Sequence, residues 1–284
     1  MSISAATVME LRNTTGAGMM DCKHALQETG GDLEQAKDFL RKKGIAVAAK
    51  KSSRETSEGG IAIAYSDDRG RAAMVRLASE TDFVARNDQF QTLLQALARQ
   101  VLENGDADVL AQTMATDGGT VQEHITQAVS TMGENLQYIE GVREEAPQNG
   151  LVGGYVHSNG KIGVLIVLGA GQGARRDSLE ELAKDLAMHV AASQVHAVRS
   201  DQIDPQVVAK EREILTAQAE ESGKPPEIVA KMVEGRMGKF VREVSLLDQQ
   251  FVKDPEKSVN QVVSKAATEL GTEITLEKFA KFQF

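Results

Sequence analysis

The stretch GGYVHSNGKIGVLIVL, residues 153–168, decides how the rest of the chain is read. Its Asn159-Gly160 pair is a two-residue hairpin signal, because both positions tolerate positive φ. Residues 161–168 then supply a returning apolar strand. The opening has an earlier echo: Gly153-Gly154-Tyr155-Val156-His157-Ser158 follows Gly59-Gly60-Ile61-Ala62-Ile63-Ala64. There, residues 67–70 turn the chain and residues 72–79 return. Each hairpin leads into an amphipathic helix. Phe90, Leu93, Leu94, Leu97, Val101 and Leu102 share a face of the first; Leu179, Leu182, Leu186 and Val190 share a face of the second. A helix marked by Val121, Ile125, Ala128 and Met132 and a strand over residues 136–142 complete the first unit. A helix marked by Val259, Val262, Val263 and Leu270 and a strand with Ile274 and Leu276 complete the second. The expected class is α+β, with a core of two related antiparallel-sheet subdomains.

Working outward, residues 1–51 predict three short helices. Val8 and Leu11 face inward on the first, which stops at Thr15-Gly16-Ala17-Gly18. Met19, Cys22, Ala25 and Leu26 line the second, over residues 19–29, with Met19 inward and Met20 outward. Asp32 caps the third, with Gln35 placed to complete a capping box, and Leu33, Ala36, Phe39 and Leu40 turn inward. Residues 50–60 have a linker's composition. Residues 206–243 predict a projecting helical hairpin about 25 Å long. Val207, Val208, Ile214 and Leu215 line one arm, Gly223-Lys224-Pro225-Pro226 reverses the chain, and Ile228, Met232, Met237 and Phe240 line the other.

A chain of 284 residues accommodates about two domains with ordinary cores. Its net charge of −9 argues against nucleic acid as the main partner, since such binding draws its affinity from Lys and Arg at phosphates. Lys42, Lys43, Lys50, Lys51 and Arg54 are the best candidates for a local basic patch. Cys22 is the sole cysteine, so neither an internal disulfide nor a cysteine zinc cluster is expected. The five histidines are scattered. No leader peptide and no membrane-length apolar run is visible, and the expected location is the cytoplasm.

Two segments could carry chemistry. Gly169-Ala170-Gly171-Gln172-Gly173-Ala174 matches the dinucleotide fingerprint on paper and leaves a nicotinamide-dependent enzyme as an alternative. That motif needs a parallel strand–helix–strand unit, with its glycines at the helix start. Here the preceding strand is already an arm of a hairpin, and the helix is expected to begin only near Ser178, so a surface loop accounts for it better. Carboxylate pairs such as Asp67-Asp68, Glu144-Glu145 and Glu220-Glu221 read as solvated charge. The segment Glu80-Thr81-Asp82-Phe83-Val84-Ala85-Arg86-Asn87 is less ordinary, since a polar loop position holds Phe83 and Val84. Residue physics alone favours Asp82 or Asn87 as a helix cap with Phe83 folded back as a hydrophobic staple. The other reading is an exposed acid-plus-aromatic wedge.

Four stretches together resemble the elongation factor Ts family of bacterial type. They are Thr15-Gly16-Ala17-Gly18-Met19-Met20-Asp21-Cys22-Lys23; Thr81-Asp82-Phe83-Val84; Met188-His189-Val190-Ala191-Ala192-Ser193; and Ser222-Gly223-Lys224-Pro225 with Met232-Val233-Glu234-Gly235-Arg236-Met237. The resemblance implies a ubiquitin-associated-like N-terminal helical module, two α+β core subdomains and a coiled-coil hairpin. The implied boundaries are residues 1–54, 55–148, 149–199 with 247–284, and 200–246. It implies a non-enzymatic exchange factor for elongation factor Tu, in translation elongation, with no cofactor of its own. It acts instead on the GDP and Mg²⁺ held by its partner. Thr81, Asp82, Phe83 and Val84 become the loop that disturbs Mg²⁺, replacing the staple reading. Met20 and Lys23 become contacts to the GTPase domain, Met132 and His157 core positions in partner contact, and Phe251 and Val252 a contact to another partner domain. Self-association through the hairpin and a plain interaction scaffold remain alternatives. Family members of the long type often end with an additional C-terminal helix, whereas this sequence ends at Lys281-Phe282-Gln283-Phe284, so the resemblance does not carry over a tail-mediated contact.

Overall fold

The computed structural model describes residues 3–115 and 118–284. Three helices open the chain: α1 (Ala5–Thr15), α2 (Met19–Glu28) and α3 (Leu33–Lys51). Val8, Leu11, Cys22, Ala25, Leu26 and Ala36 form their small core. Met19 is 39% exposed and does not join it, contrary to the expected inward face. Asp32 caps α3 by accepting the Gln35 N–H at 3.0 Å, but the Gln35 side chain bonds the Asp32 carboxylate, so the capping box is not closed. Helix α3 runs to Lys51 and shortens the linker expected at residue 50.

The middle of the chain is two sheets packed face to face. Strands β1 (Glu58–Tyr65), β2 (Arg71–Ser79) and β3 (Leu136–Glu145) form one antiparallel sheet. Its outer face carries α5 (Asp88–Asn104) and α6 (Val121–Met132), with the one-turn helix α4 (Asp82–Ala85) between β2 and α5. Strands β4 (Leu151–Val156), β5 (Ile162–Ala170) and β8 (Ile274–Gln283) form the other, covered by α7 (Arg176–Ala192) and α10 (Val259–Leu270). Phe90, Leu94, Leu97 and Val101 fill the first helix–sheet core, and Leu179, Leu186, Val190 and Val263 the second. Ile61, Met74, Val152 and Leu165 fill the space between the sheets. The buried Glu144 on β3 pairs with Lys278 on β8 across that boundary at 2.7 Å.

The two halves repeat in detail. The β2–β3 ladder runs from Arg71 opposite Glu145 to Ser79 opposite Leu136, with a bulge between Arg76 and Leu77. The β5–β8 ladder runs from Ile162 opposite Gln283 to Ala170 opposite Ile274, with its bulge at the equivalent rung, between Val167 and Leu168. Helices α5 and α7 are both 17 residues long. Helices α6 and α10 are both 12 residues long, and each opens on a complete capping box and closes on a left-handed glycine. The halves also exchange their hairpin tips: Ile61 N–H donates to the Gly160 C=O at 2.9 Å, and Val152 N–H donates to the Arg69 C=O at 2.8 Å. Such reciprocal bonds mark an approximate two-fold relation.

The hairpin turn differs from the expected two-residue type. His157 N–H pairs with the Ile162 C=O across a four-residue loop, and of Asn159 and Gly160 only the glycine has positive φ. Arg69 takes the same left-handed conformation in the first hairpin. This register makes Ala62, not Gly59, the counterpart of Gly153, so the echo read from Gly-Gly is three residues out of frame.

Between α7 and α10 the chain makes a helical hairpin, α8 (Pro205–Glu220) and α9 (Pro226–Val244), and a small sheet, β6 (Gln250–Phe251) with β7 (Asp254–Ser258). The seam of α8 and α9 holds Val208, Leu215, Ala219, Val229, Val233, Met237 and Phe240. Ile214 and Ile228, expected inside, are 43% and 42% exposed. Among the described residues no helix is long and apolar enough to cross a membrane.

Candidate partner-binding surface

Thr81 leaves β2 in an extended conformation and caps α4 by accepting the Val84 N–H. Asn87 caps α5 by accepting the Gln89 N–H at 2.8 Å. Two caps six residues apart in sequence force the intervening chain into a single isolated turn. Ala85 is buried and Val84 half-buried against the first core, which seats the turn. Phe83 points away and is 81% exposed. It is not a staple; of the two expected caps Asn87 is the one used, and Asp82 pairs instead with Arg86 at 2.9 Å one turn on.

Thr81 is gripped from beneath. The Glu134 carboxylate accepts its N–H at 3.0 Å and its hydroxyl at 2.6 Å, while the Ser79 hydroxyl donates to the Thr81 C=O at 2.9 Å. On the far side, Gln91 Nε2 donates to the Ala85 C=O at 2.7 Å. Glu80 accepts the Asn135 N–H at 2.6 Å. Sequence reasoning did not find Glu134, Asn135 or Gln91. Gln91 lies six positions beyond Ala85, but Glu134 lies 53 positions from Thr81, beyond any local pattern.

Asp82, Ala85 and Arg86 line a groove that His157 and Asn159 also line. The structure thus brings Asp82 and His157 to one face. His157 is exposed on the β4–β5 hairpin, and its Nδ1 lies 2.9 Å from the Tyr155 hydroxyl. Met132 is half-buried at the end of α6, two residues before Glu134. Met20, 72% exposed, and Lys23 sit on the outer face of α2. That module docks on α6 through the Arg41–Glu123 ion pair and a Gln127 bond to the Thr15 C=O. Phe251 does not offer a surface: it is buried with its ring 5.8 Å from that of His189. Its neighbour Val252 is 48% exposed.

His189 holds this second region together. Its Nδ1 accepts the Val252 N–H at 3.1 Å, so its Nε2 carries the proton and donates to Gln249 Oε1 at 2.8 Å. Burial lowers the imidazole pKa, against the opposing pull of the Gln249 bond, so the neutral ring is favoured. Lys281 caps the end of the same helix, donating to the C=O groups of Val190 and Ser193, both at 3.0 Å.

Two glycines of the run, Gly169 and Gly171, have a steric explanation, and Gly173 has positive φ. A side chain at Gly169 would collide with Thr275 on the neighbouring strand β8, and one at Gly171 with Thr272 just before that strand. Close strand packing therefore selects these glycines. Helix α7 begins at Arg176, two residues earlier than expected.

The Elongation factor TS family model matches residues 80–284. Elongation factor Ts of Desulfovibrio desulfuricans is 45% identical over 285 residues, covering 99% of this chain and 98% of the relative. The proteins of the same name from Sphingopyxis alaskensis and Zymomonas mobilis are 47% and 45% identical, each covering 99% of this chain and 92% of the relative. Similarity of this extent defines the class as a translation elongation factor, acting in protein biosynthesis. Within that class, the chain belongs to the elongation factor Ts family.

Proposed function

We propose that this chain is a guanine-nucleotide exchange factor for elongation factor Tu, and that it performs no bond-making chemistry and needs no cofactor of its own. The observation that carries the reading is Phe83, held almost fully in water on a turn fixed by bonds from Ser79, Gln91 and Glu134. A flexible loop could not push. A clamped one displaces what it meets.

An exchange factor shifts its partner only by binding the emptied form better than the filled one. Weakening nucleotide by ~10⁴-fold takes about 5.5 kcal/mol of such preference. Burying Phe83 supplies only about 1.5–3 kcal/mol. The remainder has to come from other surfaces, for which the exposed Met20 and Lys23, the His157 groove and Val252 are the candidates. In this mechanism Asp82 and Phe83 enter the partner's nucleotide site and displace the elements that hold Mg²⁺ and phosphate. The other contacts then stabilise the vacated partner.

Stopped-flow release of labelled GDP from elongation factor Tu tests the assignment. The Asp82→Ala/Phe83→Ala chain is expected to slow catalysed release far more than it weakens overall binding, with its melting temperature unchanged. Release at the wild-type rate would reject the wedge.

A further inference from the structure

The repeat shows what is peculiar about the turn that carries Phe83. In the second half the ladder continues past its last strand pair by an ordinary backbone bond, Gly171 N–H to the Glu273 C=O at 2.9 Å. Only five residues, 171–175, then lead to α7, and they contain no helical turn. In the first half eight residues, 80–87, separate β2 from α5 and include α4. Beyond Ser79 opposite Leu136, the strands are joined by side chains. The Glu80 carboxylate accepts the Asn135 N–H, and the Glu134 carboxylate accepts both the N–H and the hydroxyl of Thr81.

A carboxylate reaches farther from its backbone than a peptide carbonyl does. It can hold a neighbouring amide without keeping that chain extended in the sheet. The two acids therefore let residues 80–81 turn out of the sheet while remaining bonded to it. The clasp is itself braced from the N-terminal module: Asn135 Nδ2 donates to the Arg54 C=O at 2.8 Å, Arg54 pairs with Glu80 at 3.4 Å, and Lys51 donates to the Gly133 C=O.

We propose that Glu134 is a positioning residue for the exchange reaction: acting through Thr81, it sets the direction in which α4 presents Phe83. The proposal rests on the exchange reading above. Full-length chains carrying Glu134→Ala, Glu134→Gln, Phe83→Ala and the double change E134A/F83A are compared for catalysed GDP release, with amide exchange over residues 81–85 measured in each chain alone. Glu134→Ala is expected to slow release by at least about tenfold, the scale of losing a hydrogen bond to a charged acceptor. It should also speed amide exchange at residues 81–85 while the chain still melts in one cooperative transition. Glu134→Gln keeps an acceptor for the Thr81 N–H and should recover most of the rate. The double variant should be no slower than Phe83→Ala, because the two residues act as one unit.

The proposal is overturned if Glu134→Ala releases GDP at the wild-type rate while Phe83→Ala is slow, or if the two losses multiply in the double variant. Wild-type release by Phe83→Ala would sink the wedge on which the proposal rests, and amide exchange would still decide whether Glu134 holds the turn. Should Glu134→Ala fail to fold, Thr81→Val carries the same test, with loosened exchange at residues 82–85 and slowed release expected, and unchanged values overturning it.

Discussion

Leaving Phe83 in water forgoes about 1.5–3 kcal/mol that burial would supply, and the chain spends several hydrogen bonds holding it there. A composition-level reading therefore misjudges it: an aromatic beside a helix start is ordinarily a staple. The Asn87 cap was legible because its partner is two residues away. The Glu134 grip was not, because its partner is brought near only by sheet pairing. Phe251 misled in the opposite way, since nothing local says that it stacks near His189. That histidine makes a testable contribution. Its folded-state pKa lies below the ordinary value of about 6.5, so its neutral form contributes stability that is complete above that value. The contribution is lost as pH falls below about 6.5 and stops falling once the lowered folded-state value is passed. Urea midpoints measured between pH 8 and pH 5 should decline less steeply in His189→Gln than in the parent. Equal slopes would remove His189 from the pH dependence.

Among the elements, those with one unambiguous apolar stripe were read best: α5 and α7 bury the face their 3.6-residue period nominates, and α6 buries Val121 and Ile125 but sets Val129 rather than Ala128 in the core. In the α8–α9 hairpin Val208, Leu215, Met237 and Phe240 lie in the seam as read, whereas Ile214, Ile228 and Met232 do not. Ile228 and Val229, like Met232 and Val233, offer adjacent apolar residues, and the period fits either choice. Packing against α8 selects Val229 and Val233. Charge in that seam is buried without a partner, which costs several kcal/mol. Val233→Asp is therefore expected to lower helical circular dichroism and the melting temperature. Ile214→Ser, on the outer side, should stay within about 0.5 kcal/mol of the parent. The reverse order would mean that the seam lies on the other face.

For the molecule as a whole, the duplicated architecture was visible as an echo between two hairpins, but its register was not. The Gly-Gly pairs suggested one alignment, whereas the turn geometry and the matched bulges enforce another. What the echo could not reveal is the asymmetry that matters most. Two halves alike in ladder, bulge and helix length differ where α4 interrupts the path from β2 to α5. The tips exchanged between halves, the apolar layer between the sheets and the Glu144–Lys278 pair set the two sheets against each other and give that turn a fixed base. The most direct measurement is the affinity of this chain for elongation factor Tu, taken in parallel for the nucleotide-free and GDP-filled forms by calorimetry. Tighter binding to the emptied form by several orders of magnitude is expected, at about 1.4 kcal/mol for each factor of ten. Equal affinity for the two forms would contradict the account.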